Sequence, residues 1–217
     1  HHWLQELLSR GESLKELAEK VGAHPESVAA LYRKLRKIEY FPFFKPQIFE
    51  VGHVDIIDQM IDYIDREISI IIEFGNYTAT FCYLLIANIV TRRIHDLYSK
   101  KTEYFLGTQR KEDEPKKLMI TIEEAHKFLN PQAARQTIFG TIAPEMRKYY
   151  VSLLVVDQRP SGIDPEVLSQ IGTKIIAQLH DDKDIAASLT GIANGAQLRT
   201  VLASLDSKKQ ALLLGHA

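Results

Sequence analysis

Residues Leu118 to Leu129 read LMITIEEAHKFL, an apolar, β-prone run that stops at two adjacent carboxylates, Glu123 and Glu124. Ala125 and His126 then lead into a helical pattern. A strand ending this way suits an open α/β sheet, where ligands bind just outside the carboxyl ends of the strands. Two acids at that place fit nucleotide hydrolysis, one holding Mg²⁺ directly or through water and the other orienting the attacking water. Acids also favour the positive end of a helix dipole, so the pair alone does not separate a site from a helix start.

The surrounding pattern alternates strands with helices. A short amphipathic helix around Val54 to Arg66 leads into Ile68 to Phe74, ISIIIEF, a nearly continuous β-branched run that predicts a strand buried on both faces. Tyr77 to Lys100 predicts a long helix, apolar at Phe81, Leu84, Leu85 and Ile89 and basic at its end with Arg92, Arg93, Lys100 and Lys101. The run RKEDEPKK, Arg110 to Lys117, is a charged loop. After the LMITI strand come a helical stretch through Arg147 and a third strand, Val151 to Val156. Asp164-Pro165 starts a short helix. Strands at Lys174 to Gln178 and Gln210 to Leu214 enclose helices over Asp182 to Leu189 and Gln197 to Leu205. Such alternation means βαβ units and a mainly parallel sheet flanked by helices.

Residues 1–50 read differently from residues 51–217. Leu4, Leu7 and Leu8, then Leu14, Leu17 and Val21, recur at helical spacing until Gly22 breaks the pattern. Pro25 and Glu26 open a second helix with Val28, Leu31, Tyr32, Leu35 and Ile38 on its apolar face. The spacing of Ala18, Gly22, Val28 and Leu31 resembles a helix-turn-helix, and Arg33, Lys34, Arg36 and Lys37 are basic. Yet Pro25, Glu26 and Ser27, which would enter a major groove, offer no Arg, Asn or Gln to read bases. A plain helical hairpin accounts for the same pattern. Tyr40 to Glu50, with Pro42 and Pro46 among aromatics, reads as a linker.

Composition removes several classes. A net charge of −1 gives no global basic field, which argues against a protein that coats DNA but not against one that grips it in a channel. The single cysteine, Cys82, excludes an internal disulfide framework and fits a reducing, cytoplasmic setting. No apolar run approaches the ~20 residues a bilayer span needs, so no membrane association is expected.

A phosphate-binding loop needs G-x-x-x-x-G-K-[ST], because its glycines let backbone N–H groups approach the phosphates and its lysine neutralises them. None of the 11 glycines is followed five positions later by another. Either that loop lies upstream of residue 1 or the protein binds no nucleotide. The stretch VSLLVVDQRPSGID, Val151 to Asp164, favours the first option, since it too ends an apolar strand in polar groups, Asp157, Gln158 and Arg159. The Gln158 amide can donate to a phosphate oxygen and accept from an attacking water, although a turn-capping cluster before Pro160-Ser161-Gly162 is equally sound chemistry. Arg147 and Lys148 end a predicted helix, where basic residues suit the dipole whatever the function.

Taken together, EEAHKFL and the stretch from FGTIAPEMRKYY through VVDQRPSGIDPEVLSQIGTKIIAQLHDDKDI resemble the HerA-type ATPases of the FtsK–HerA group of DNA translocases, from about Ile68 to His216. The acid pair, the Arg-Lys before a strand, the Gln-Arg-Pro after it and the L-S-Q-x-x-T-K stretch occur in the same order and at fitting separations. The resemblance implies a RecA-like core, here a fragment without its phosphate-binding loop, with residues 1–50 as a helical insert.

It further implies a hexameric ring that hydrolyses ATP with Mg²⁺ between subunits and moves double-stranded DNA, acting with a NurA-type nuclease or another effector in end processing or antiviral defence. By motif, Glu123 is the magnesium-side acid, Glu124 the water-activating base and Gln158 the phosphate sensor. Arg147 is the finger reaching a neighbour's ATP, helped by Lys148. Related ATPases more often carry Asp where this chain has Glu123; the extra methylene moves the carboxylate outward by ~1.5 Å, which favours contact through water. Two other readings are a non-catalytic DNA-binding or scaffold module using the N-terminal helices and a secretion- or conjugation-type ATPase sharing the core.

Overall fold

The computed structural model describes residues 13–39, 56–74, 80–136, 145–193, 195–206 and 209–215. The chain divides into two compact units, His1–His53 and Val54–Ala217. In the first, α1 (Leu14–Lys20) starts at Ser13 through a reciprocal cap. The Ser13 hydroxyl accepts from the Glu16 backbone N–H at 3.3 Å, and the Glu16 carboxylate accepts from the Ser13 N–H at 3.0 Å. Two donors that a helix start leaves open are thereby satisfied. The chain reverses at Gly22, and α2 (Pro25–Glu39) begins with a proline whose missing N–H costs nothing there. Leu17 and Ala18 are buried, whereas Leu31, expected on the packed face, is half exposed. The positions Leu4, Leu7 and Leu8 and the linker expected over Tyr40–Glu50 lie outside the described residues.

The second unit begins with α3 (Ile56–Asp65), tied to α4 (Thr80–Thr108) through charged residues: Arg93 reaches Asp58 at 3.4 Å and Lys101 reaches Asp65 at 2.5 Å. Such exposed pairs are worth about 0–1 kcal/mol each. The firmer anchor of α4 is apolar, since Ile94 and Tyr98 share a buried cluster with Met146 and Val151.

β1 (Leu118–Glu123) and β2 (Val151–Val156) pair in parallel, with Leu118 opposite Val151 and Glu123 opposite Val156. Their side chains alternate, as the strand period requires. Ile120, Ile122, Leu153 and Val155 turn to the core, while Met119, Leu154 and Val156 stay exposed on the other face. Between the strands lie α5 (His126–Leu129), α6 (Pro131–Gln136) and a 3₁₀ turn at Met146–Tyr149. After β2 the chain passes through the turn Pro160–Gly162 into α7 (Pro165–Gln170), capped by Asp164, whose carboxylate accepts from the Glu166 N–H at 2.8 Å. Ile122, Ala125, Leu129, Ile163, Val167 and Leu168 form the core beneath the strand ends. β3 (Lys174–Ile176), α8 (Asp182–Ser188), α9 (Gly195–Ala203) and β4 (Leu212–Leu214) pack around Ile176, Ile185, Leu189 and Leu202.

Three expectations need correction. Ile68–Phe74 forms no strand and joins no ladder among the described residues, and Ile71 is 86% exposed. Its two ends are nevertheless tied near those of β1: Lys116 bonds the Asp65 carbonyl at 3.1 Å and pairs with Glu67 at 2.9 Å, and the Phe74 ring lies 6.2 Å from that of Phe128. A β-branched run reports fitness for a pleated surface, not the presence of a ladder partner. Secondly, β3 and β4 are antiparallel, so among the described residues the parallel arrangement holds for β1 and β2 alone. Thirdly, the helical stretch toward Arg147 breaks at Asn130, whose side-chain amide oxygen caps α6 by accepting from the Gln132 and Ala133 N–H groups at 3.1 and 2.9 Å. Among the described residues no helix is long and apolar enough to cross a membrane.

Candidate functional site at the strand ends

The parallel register brings the ends of β1 and β2 together, so the acid turn and the Asp157-Gln158-Arg159 turn are neighbours. Past the strands the pairing continues in a weak backbone bond, Ala125 N–H to the Val156 carbonyl at 3.4 Å. Glu123 is exposed, and its carboxylate has no hydrogen bond or ion pair among the described residues. Glu124 has φ +50°, a left-handed conformation that costs a residue with a Cβ roughly 1–2 kcal/mol. Its carboxylate meets the Lys127 ammonium at 2.6 Å. That hydrogen bond, then the charge of Lys127, holds the Glu124 carboxyl below the usual carboxylate range.

A residue to which the sequence reading gave no role organises this turn. Asp157 has a side chain only 3% exposed, and its carboxylate accepts from the His126 and Arg159 backbone N–H groups, each at 2.6 Å. The His126 ring Nδ1 lies 2.9 Å from one of its oxygens and 3.1 Å from the other. Burial works to raise the Asp157 carboxyl, but the two backbone donors and the imidazole hold it below its ordinary value. An ionised carboxylate can only accept, so Nδ1 carries the proton. A Cβ added to Gly162 would stand 3.0 Å from the His126 Cβ, so glycine is what lets the 160–162 turn close over this side chain. The signal in the sequence was a histidine after the acids and an aspartate ending the next strand, but only the register makes them partners.

Gln158 is exposed beside Asp157. Glu123, Glu124 and Gln158 are thus brought to one end of the strand pair. Arg147 and Lys148 are not: they precede β2, at its opposite end. Six residues of strand at about 3.3 Å each put roughly 20 Å between the two ends. The Arg147 guanidinium donates to the Gln170 carbonyl at 3.2 Å and lies against Gly172, where a Cβ would stand 3.4 Å from it. Lys148 is exposed. Lys174, of the L-S-Q-x-x-T-K stretch, is held by the Ser188 and Thr190 carbonyls at 3.2 and 2.5 Å, and burial lowers its pKa. It caps the end of α8. No cluster of three or more His, Cys, Asp or Glu suited to hold a metal occurs among the described residues.

No protein-family model matches the chain. Individual relatives do. The chain is 31% identical over 147 residues to the probable DNA double-strand break repair helicase HerA of Methanocaldococcus jannaschii, a match covering 63% of this chain and 28% of that protein. It is 35% identical over 119 residues to the DNA double-strand break repair helicase HerA of Sulfolobus acidocaldarius, covering 50% of this chain and 24% of the relative. The HerA of Pyrococcus furiosus is 31% identical over 122 residues, 44% of this chain and 22% of its own length. The matches thus span about a quarter of these relatives' lengths. The resemblance to HerA-type ATPases is borne out by relatives of that name.

Proposed function

We propose that this chain is the ATP-hydrolysing part of a RecA-like, hexameric double-stranded DNA translocase that works with a NurA-type nuclease or another effector in DNA end processing or antiviral defence. The observation that carries this reading is the juxtaposition of the acid turn and the Gln158 turn at the carboxyl ends of two parallel strands. That is where an α/β sheet presents residues to a ligand. The names of the relatives, DNA double-strand break repair helicases, supply the substrate class.

Each side chain then has a task. Magnesium is commonly held by one or two carboxylates together with substrate phosphates, and the Glu123 carboxylate, unengaged among the described residues, has the right chemistry. Bound there, the metal would neutralise charge developing on the phosphates. Glu124 orients the attacking water as general base, for which its carboxylate has to share or leave the Lys127 ammonium. Gln158 senses the γ-phosphate through its amide. Arg147, about 20 Å from the acid turn of its own chain, can serve hydrolysis only by reaching a neighbour's nucleotide, with Lys148 beside it. Leaving the Gln170 carbonyl is the cost of that reach. The chain has no G-x-x-x-x-G-K-[ST] segment, so this reading requires a phosphate cradle in addition to the residues present.

The test is DNA-stimulated ATP hydrolysis by the full-length protein. Glu124→Gln keeps size and hydrogen bonding but removes the charge that polarises water. ATP binding should persist while kcat falls by roughly 10²–10⁴. Wild-type turnover by this variant would reduce Glu124 to a helix opener.

A further inference from the structure

We propose that His126 and Asp157 form the positioning element that holds Glu124 and Gln158 in mutual register; the idea rests on the hydrolytic reading of the acid turn. Glu124 and Gln158 leave the ends of different strands, and past Glu123 and Val156 the sheet ladder no longer fixes them. The backbone bond that continues it, from Ala125 to Val156, is long. The Asp157 carboxylate supplies what is missing. By accepting from the Arg159 N–H it closes a tight turn around Gln158, a bond from an aspartate to the residue two places on. By accepting from the His126 N–H it grips the chain two residues past Glu124. One buried carboxylate thus fixes both functional turns.

The imidazole makes the grip specific. Its Nδ1 donates to the same carboxylate, and its Cβ is packed beneath Gly162. Strained backbone such as that of Glu124 persists only where its surroundings over-determine it, and these bonds do so. Neither residue needs to touch substrate. Their task is to keep the base and the sensor at a fixed spacing, as the hydrogen-bond partners of metal ligands hold those ligands.

Two measurements test this. On the wild-type chain, long-range ¹H–¹⁵N correlation of the His126 ring should show Nδ1 protonated at neutral pH, without any nucleotide present. A neutral ring protonated only at Nε2 would overturn the proposal. In the full-length protein, Asp157→Asn leaves one carbonyl oxygen for three donors and turns an NH₂ toward at least one of them. His126→Ala removes the ring bond. Both should lower kcat by about 10–100-fold, the scale for such supporting residues, with KM for ATP unchanged. His126→Asn places an amide N–H near the position of Nδ1 while giving up Nε2, and should restore most of the rate. An Asn variant as slow as His126→Ala would mean that Nε2 acts on the substrate, and full kcat in a folded His126→Ala or Asp157→Asn would mean that the pair positions nothing. Should the Ala variant not fold, the Asn variant and the ring spectrum still decide. Glu124→Gln in the same assay separates the two claims, because its wild-type turnover would sink the hydrolytic reading and leave the ring spectrum standing.

Discussion

Leu129 is where the acid turn is fastened to the rest of the fold, and its truncation has a calculable cost. The side chain is wholly buried against Ile122, Ala125, Ala134, Ile163, Val167 and Leu168. Its carbonyl also accepts from the Asp164 N–H at 2.7 Å, joining α5 to the start of α7. Leu129→Ala removes three carbons, about 2.4 kcal/mol at about 0.8 kcal/mol per buried methylene. The neighbours belong to several separate elements and two of them are alanines, so the space cannot collapse and a cavity term is added. Within the range of about 2–5 kcal/mol for such changes, we expect roughly 3–4 kcal/mol. Urea unfolding read by hydrogen exchange at the Ile122 and Leu168 amides should show the midpoint falling with an unchanged m value. Leu213→Ala, at a side chain 68% exposed, should stay within about 0.5 kcal/mol. A loss below about 1 kcal/mol for Leu129→Ala would refute this placement of the core.

Other outcomes follow from the site's electrostatics. Lys127→Ala should return the Glu124 carboxyl upward toward the usual carboxylate range in an NMR titration, because the Lys127 hydrogen bond is the main cause of its depression. The pair is about half exposed, so stability should change little. Asp157 is held below its unfolded value of about 3.9. Its contribution to stability is therefore complete above that pH and lost as pH falls through the lower folded value. Urea midpoints measured from neutral pH downward should show that loss in the wild type, and Asp157→Asn should remove it. In the isolated chain, Arg147→Ala should cost only about 1 kcal/mol, since its bond to Gln170 is exposed; a large loss would make Arg147 a structural residue.

What the sequence made legible was local. Leu118–Glu123 and Val151–Val156 form strands because each apolar run is short and ends in polar turn residues. Gly22 with Pro25, and Asp164 with Pro165, mark helix boundaries by conformational limits that hold in any fold. What stayed hidden depends on partners distant in sequence. Ile68–Phe74 has the composition of a strand, yet a ladder also needs a neighbour's amides. Asp157 looked like one polar residue among three, and became an organising group only when the parallel register set it beside His126. The left-handed backbone at Glu124 could not be anticipated, since nothing about glutamate favours it.

The central claim is that ATP is hydrolysed between subunits by the acid turn of one and Arg147 of the next. It is tested most directly by mixing two inactive full-length proteins, Arg147→Ala and Glu124→Gln, after each alone has been shown to lose activity, by roughly 10³–10⁵ for the arginine. A mixed ring sets some intact glutamates opposite intact arginines, so hydrolysis should partly return on mixing. A folded mixture that demonstrably co-assembles yet remains inactive would contradict action in trans, and wild-type turnover by Arg147→Ala alone would contradict any role for the arginine in the reaction.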